Sequence, residues 1–304
     1  MRKYKQASSH ENSISCSSTP YTDCPNTQRQ RITSESSCSF INCKFNSISN
    51  TGHTKENGGA ISYAVANGNL FVSNCYFYDC ITQKTDCGAI DARNADYVTV
   101  ELSTFDRCIA HTQSGESGGG GINLYKIQQH PYIHLCSFFA CSSDDDGGGM
   151  SISNTAPTNI FLCDECKFVN GETVYSKGHN NYAGGLILWD NNKPLRCSNT
   201  LFTSNKATYG GAYGTNCNAN SPAYPLRFCF FHNNQGSCGN DACFRDPVHS
   251  FRTEYFLHCF STTATNRVQN RTNSADFSTW LPQDSIYFVN LTSDGDLCFL
   301  VDTT

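Results

Sequence analysis

Cys163-Asp-Glu-Cys166 is the one C-x-x-C of the chain, and Asp144, Asp145 and Asp146 form its one run of three acids. A C-x-x-C can hold zinc or cycle a disulfide, yet zinc needs four ligands and no second C-x-x-C or H-x-x-x-H follows. The first of these cysteines overlaps a strand pattern and the second falls on a repeated cysteine position. A structural role is therefore expected, with zinc or redox chemistry as the alternative. The three aspartates precede a glycine run and read as a solvated turn, with a weak Ca²⁺ site as the alternative. A glycosidase needs two carboxylates about 5 to 9.5 Å apart. Asp91 and Asp190, the acids on the outer side of one strand set, are three repeats apart, or about 14 Å at ordinary strand spacing. His53, His111 and His179 fall in separate repeats, too distant to share a proton or an ion, and read as isolated surface histidines. No G-x-S-x-G, H-E-x-x-H, P-loop or G-x-G-x-x-G occurs. No catalytic residue, cofactor or metal site is expected.

The elements that would position such residues come from an internal repeat. One half-unit reads C-x-F-x-x-C or F-x-x-N: Cys38-x-Phe40-x-x-Cys43, Cys75-x-Phe77-x-x-Cys80, Phe105-x-x-Cys108 and Cys136-x-Phe138-x-x-Cys141, then more loosely around Phe168, Phe202 and Phe231. The other reads G-G-A-I, at Gly58 to Ile61, Cys87 to Ile90, Gly119 to Ile122, Gly147 to Met150, Gly184 to Ile187 and Gly210 to Tyr213. The halves alternate strictly, and the phenylalanines recur about every 32 residues. Between them lies a third apolar stretch, as in Leu70-Phe-Val72 and Val98-Thr-Val100.

Each stretch alternates with period two, as a half-buried strand does. Ile61, Ile90, Ile122, Met150 and Ile187 form one expected inward file, and Tyr63, Ala92, Leu124, Ile152 and Trp189 the next. Ser62, Asp91, Asn123, Ser151 and Leu188 then face outward. The predicted fold is all-β: a single-stranded right-handed parallel β-helix, a solenoid of about seven to eight rungs with three short strands per rung. Glycines supply one corner, and the Asn or Cys closing F-x-x-N/C stacks at another. Cys80, Cys108 and Cys141 share one file, expected as a stack of small apolar thiols because parallel neighbours give poor disulfide geometry.

The 304 residues carry 21 basic and 26 acidic residues, a net charge of -5, with no Lys/Arg block. Nucleic acid and anionic membrane are poor partners for that surface. No run of 18 apolar residues and no apolar segment behind the basic N-terminus is found, so neither membrane insertion nor an export signal is expected. The 19 cysteines are odd in number, leaving at least one thiol unpaired within the chain. The expected organisation is a polar tail over 1–30, the β-helix over 31–260 and cap strands over 261–304.

Alternating G-G-A-I and F-x-x-N tetrapeptides over about Cys38 to Asn234 resemble the polymorphic outer membrane protein family of chlamydiae, and cysteine-rich protist surface proteins with a similar repeat. The resemblance implies a right-handed parallel β-helix used in adhesion or host contact, on the cell surface or secreted. The chain departs from it by F-x-x-C in the early units. Loops Ser49 to Asn57, His111 to Ser117, Ser142 to Asp146 and Glu172 to Tyr182 leave the coil at one corner, where rigid scaffolds place binding residues. Tyr125, Asp144, Asp145, Asp146, Tyr175, His179 and Tyr182 are the candidate ligand contacts. The expected function is a non-catalytic adhesin-like module for a host or neighbouring-cell protein or glycan. A β-helix polysaccharide lyase or glycoside hydrolase, and a purely structural spacer, are the alternatives.

Overall fold

The computed structural model describes residues 21–22, 25–26, 29–34, 37–50, 58–83, 86–111, 118–129, 131–153, 161–174, 181–189, 195–216, 226–244, 256–257, 259–262, 268–270 and 286–288. Every regular element in them is a strand, and every pairing is parallel between successive turns of one coil. The chain is a parallel β-helix. Each turn contains four strands, not the three expected, and they build four sheets of nine, nine, ten and seven strands.

In chain order these are the glycine sheet (Ile61–Tyr63, Ile90–Arg93, Ile122–Tyr125, Met150–Ser153, Leu186–Trp189), the middle sheet (Asn69–Ser73, Tyr97–Glu101, Tyr132–His134, Phe161–Asp164), the phenylalanine sheet (Tyr76–Tyr78, Thr104–Asp106, Ser137–Phe139, Lys167–Val169) and a short sheet. The short sheet holds pieces such as Ile81–Thr82, Ile109–Ala110, Ser142–Ser143 and Glu172–Thr173. Two residues carry too little pattern to be seen as a strand. At Ser49, Ser142 and Glu172 the first two residues expected in a loop belong to this sheet, whereas the one expected from His111 follows its strand directly. Tyr21–Thr22 and Pro25–Asn26 already pair with the next turn, inside the segment read as a tail.

Phenylalanine sets the interior. Phe45, Phe77, Phe105, Phe138, Phe168, Phe202 and Phe231 stack in one file with ring centroids 4.7, 4.8, 4.8, 4.7, 5.1 and 5.1 Å apart, close to the strand spacing of a sheet. The first member is Phe45, not Phe40. Phe40 belongs to the middle sheet, opposite Val72, and meets Phe45 edge-on at 5.8 Å. The repeat therefore begins at Cys43-x-Phe45, and the longest step in the phenylalanine spacing disappears.

Two corners bracket the phenylalanine sheet, and each is a single residue in the left-handed region. The first is Asn42, Asn74, Leu102, Leu135, Glu165, Asn199 and Phe228; the second is Ser47, Asp79, Arg107, Ala140, Asn170, Ser204 and Asn233, all with φ between 48° and 57°. The residue after each turn caps it. At the first corner the thiols of Cys43, Cys75, Cys136, Cys166 and Cys229 donate to the carbonyl two residues back, at 3.3 to 3.5 Å. Where cysteine is missing, Ser103 Oγ and Thr200 Oγ1 make the same bond, at 2.7 and 2.8 Å.

At the second corner, Cys80, Cys108 and Cys141 reach the preceding turn's Phe45, Phe77 and Phe105 carbonyls at 3.8, 3.6 and 3.4 Å. Further along, Asn205 and Asn234 Nδ2 donate to the Phe168 and Phe202 carbonyls at 2.9 and 3.1 Å. F-x-x-C and F-x-x-N are thus one device built with two donors. Cys80, Cys108 and Cys141 are buried thiols, as expected for that file.

The opposite corner is held open by glycine because there is no room for a side chain. A Cβ on Gly88 would sit 2.2 Å from the Gly120 carbonyl oxygen, and one on Gly120 would sit 2.2 Å from that of Gly148.

Candidate functional site

Period-two alternation sends every second residue of the glycine sheet outward. Register gives the outer files as Ser62, Asp91, Asn123, Ser151 and Ile187, then Arg93, Tyr125, Ser153 and Trp189. In the unit at Gly184 the expected register is corrected by one residue: Leu186 and Leu188 point inward, opposite Met150 and Ile152, while Ile187 and Trp189 point outward. Ala183, with φ 51°, takes the corner place that Gly147 and Gly210 hold elsewhere, so aligning on the glycine pair misplaces the strand. A one-residue slip exchanges the faces.

This outer face is covered, not solvated. Asp91, Asn123 and Ser151 are 0 to 1% exposed. At one end is an ionic group: Arg93 Nε donates to Asp91 Oδ2 at 2.8 Å, its Nη2 donates to Asp86, and Asn123 Nδ2 donates to Asp91 Oδ1 at 2.7 Å. Burial alone would lower the guanidinium's pKa, but Asp91 and Asp86 outweigh it and raise it. Cys87, beside them, donates to the Ile90 carbonyl at 2.8 Å. Burial, and then the Asp91 charge, push its thiol well above the usual range, which removes it as a nucleophile.

Next to the ionic group runs a row of polar atoms with no partner. Asn123 Oδ1, Ser151 Oγ, Ser153 Oγ and Trp189 Nε1 are buried and accept or donate nothing. They lie on three successive turns, Asn123 opposite Ser151 and Ser153 opposite Trp189. Each buried group left unpaired costs about 1–3 kcal/mol. The row contains one acceptor, one donor and two hydroxyls that serve as either.

The sequence-derived contacts distribute unevenly around it. Tyr125 is half-buried at the edge of the row, with Arg93 5.3 Å and Lys126 4.9 Å from its ring, so cations occupy its aromatic surface. Asp144 is not free in solvent: its Oδ2 lies 3.0 Å from His111 Nδ1 on the preceding turn, which also corrects the reading of His111 as isolated. Asp145 and Asp146 are buried, correcting the solvated-turn reading; the Asp145 amide donates to Ser143 Oγ at 3.2 Å, and Asp146 Oδ1 accepts from the Tyr182 amide at 2.7 Å.

Tyr182, expected on the surface, is fully buried, edge-on to Trp189 at 5.4 Å and against Tyr209 at 5.0 Å. With Ala183 and Ile187 it forms a small apolar cluster outside the coil that seats the indole. Tyr175, His179, His53 and Asp190 lie outside the described residues. Sequence reasoning missed Arg93, Asn123, Ser151, Ser153 and Trp189 as a group. The signal was present in the alternation itself, since each follows an inward residue of a G-G-A-I strand.

A second polar group lies on the outer face of the middle sheet. His134, Asp164 and Glu165 bring one ligand atom each within 4.8 Å of one another. His134 and Asp164 are cross-strand partners, and Asp164 Oδ1 accepts from Ser198 Oγ and Asn199 Nδ2 at 2.7 and 3.1 Å. Zinc bonds of about 2.0–2.2 Å require tighter convergence. The three side chains would have to close up to hold an ion. No family model, no curated protein and no solved structure matches the chain.

Proposed function

We propose that this protein is a non-catalytic interaction module, adhesin-like in the sense its repeat resemblance to the polymorphic outer membrane proteins implies, and that it takes a glycan on the exposed outer face of the phenylalanine sheet. The observation that carries this reading is the pair Tyr76 and Phe139, aromatic side chains 37% and 38% exposed on outward positions of that sheet. An aromatic face with its polar tip in water suits the apolar face of a sugar ring. A peptide ligand would instead need a strand edge or an apolar anchor pocket.

Catalysis is disfavoured by where the acids are. Among the described residues of the glycine sheet and its corner, Asp86 and Asp91 are carboxylates that Arg93 already binds. A glycosidase requires a carboxyl free to take or give a proton. Host or neighbouring-cell contact and a surface location belong to the same proposal.

The test is a glycan array probed with the wild-type protein and with Tyr76→Ser/Phe139→Ser. Retention of a discrete set of glycans by wild type and about tenfold weaker retention by the variant is expected, equivalent to roughly 1.4 kcal/mol of lost ring contact. Equal retention by both would overturn the site. No glycan retained, with a protein array positive or blank, would favour a protein ligand or a spacer instead.

A further inference from the structure

The middle sheet turns one polar file outward. Ser73, Glu101, His134, Asp164 and Ser198 stand opposite one another on successive turns. Ser73 Oγ donates to Glu101 Oε1 at 3.0 Å. Glu165 follows Asp164 at the left-handed corner, φ 51°, and its Oε1 lies 3.8 Å from His134 Nε2. Among the described residues, His134, Asp164 and Glu165 are the one group of three metal-ligating side chains whose donor atoms come within 4.8 Å of one another.

Charge sets this group apart from the other acids. Arg93 binds Asp86 and Asp91, and Lys206 binds Glu172. Among the described residues, neither Asp164 nor Glu165 meets a Lys or Arg; the basic group beside Glu165 is the His134 imidazole. Two carboxylates held side by side repel, and a divalent cation between them cancels both charges. The donors are also oriented from behind, as metal ligands are. Ser198 Oγ and Asn199 Nδ2 donate to Asp164 Oδ1 at 2.7 and 3.1 Å, which fixes the carboxylate and leaves its second oxygen for an ion. Tyr132 lies nearly parallel to the His134 ring, centroids 5.3 Å apart and planes 19° apart, which fixes the plane of the imidazole.

We propose that His134, Asp164 and Glu165 bind Zn²⁺, with His134 Nε2 and one oxygen of each carboxylate as ligands and water in the fourth, solvent-facing position. Imidazole suits zinc, and a site of nitrogen and oxygen donors holds zinc more tightly than manganese or iron(II). Zinc bonds of about 2.0–2.2 Å place tetrahedral ligands about 3.3–3.6 Å apart. The 3.8 Å between His134 Nε2 and Glu165 Oε1 therefore shortens by a few tenths of an ångström on binding. Glu165 supplies the movement, because its side chain is half exposed on a flexible stem, while His134 and Asp164 are held in place. His134 and Asp164 belong to neighbouring turns, so the ion ties those turns together. The site lies on a different sheet from the glycan-binding aromatics and does not depend on them.

The experiment uses the full chain, reduced and stripped of metal with EDTA, and titrates it with zinc sulfate while the imidazole nitrogen resonances are followed by NMR. His134→Gln assigns the His134 signals. Zinc is expected to shift the His134 Nε2 resonance in a saturable way, and excess EDTA to return it. Asp164→Asn removes the charge but keeps the oxygen that Ser198 and Asn199 hold, and Glu165→Gln alters an exposed side chain. Loss of a ligand should cost at least what loss of an outer partner does, so each variant should need about tenfold more zinc, or above, for half-saturation. If one variant fails to fold, the other carries the comparison. A His134 signal unmoved by zinc up to about 1 mM, zinc retained by thiols while His134 stays unmoved, or folded variants that bind as wild type does would each overturn the proposal.

Discussion

At the scale of single residues, the chain places side chains by what they donate to a carbonyl. Cysteine, serine, threonine and asparagine interchange at the corners because each supplies one donor at the same distance from the turn. The pair His111 and Asp144 shows the electrostatic version between turns. The Asp144 carboxylate, 3.0 Å from His111 Nδ1, raises the imidazole's pKa above its usual value against the opposing effect of burial. A raised folded-state pKa means the pair's stabilisation is complete below the unfolded value of about 6.5 and fades as pH climbs through the folded value. An NMR titration should find His111 protonating above the ordinary histidine range, and Asp144→Asn should return it toward that range. An unchanged midpoint in the variant would show that the contact is incidental.

Single strands and corners reveal what a repeat conceals. The left-handed corner positions accept asparagine readily, yet Leu102 occupies one at φ 50° with half its surface exposed. Left-handed backbone costs an L-residue with a branched side chain about 1–2 kcal/mol. Leu102→Asn, which copies Asn74 one turn earlier, should therefore raise the denaturation midpoint by an amount equivalent to about 0.5–1 kcal/mol in urea unfolding. A fall would mean that the leucine packs against something the corner alone does not explain. At this scale the sequence was readable where a pattern was long. The phenylalanine file, the glycine corner and the shared cysteine file follow directly from alternation and spacing. The short sheet did not, because Ile81–Thr82 and its counterparts are two residues each. The strand Leu186–Trp189 was displaced by one residue because Ala183 does the work of a glycine. The burial of Asp145, Asp146 and Tyr182 was hidden because it depends on how one turn lies on the next, and no local pattern records that.

For the whole molecule, stability is a sum over neighbouring turns. Phe138 lies between Phe105 and Phe168, 4.8 and 4.7 Å away. Phe138→Ala should cost about 3–5 kcal/mol in urea unfolding, with amide exchange quickening first in the two adjacent turns. Uniform quickening along the rod would argue for one global unit. A rigid rod of this kind leaves binding to what its outer faces expose, and the phenylalanine sheet exposes Tyr76 and Phe139. Their ring resonances can be assigned from Tyr76→Leu and Phe139→Leu. Titration with an oligosaccharide that the array selects should shift both sets of ring resonances in a saturable way as a sugar ring packs on them. A bound oligosaccharide that leaves both rings unmoved would contradict the account of where this protein binds.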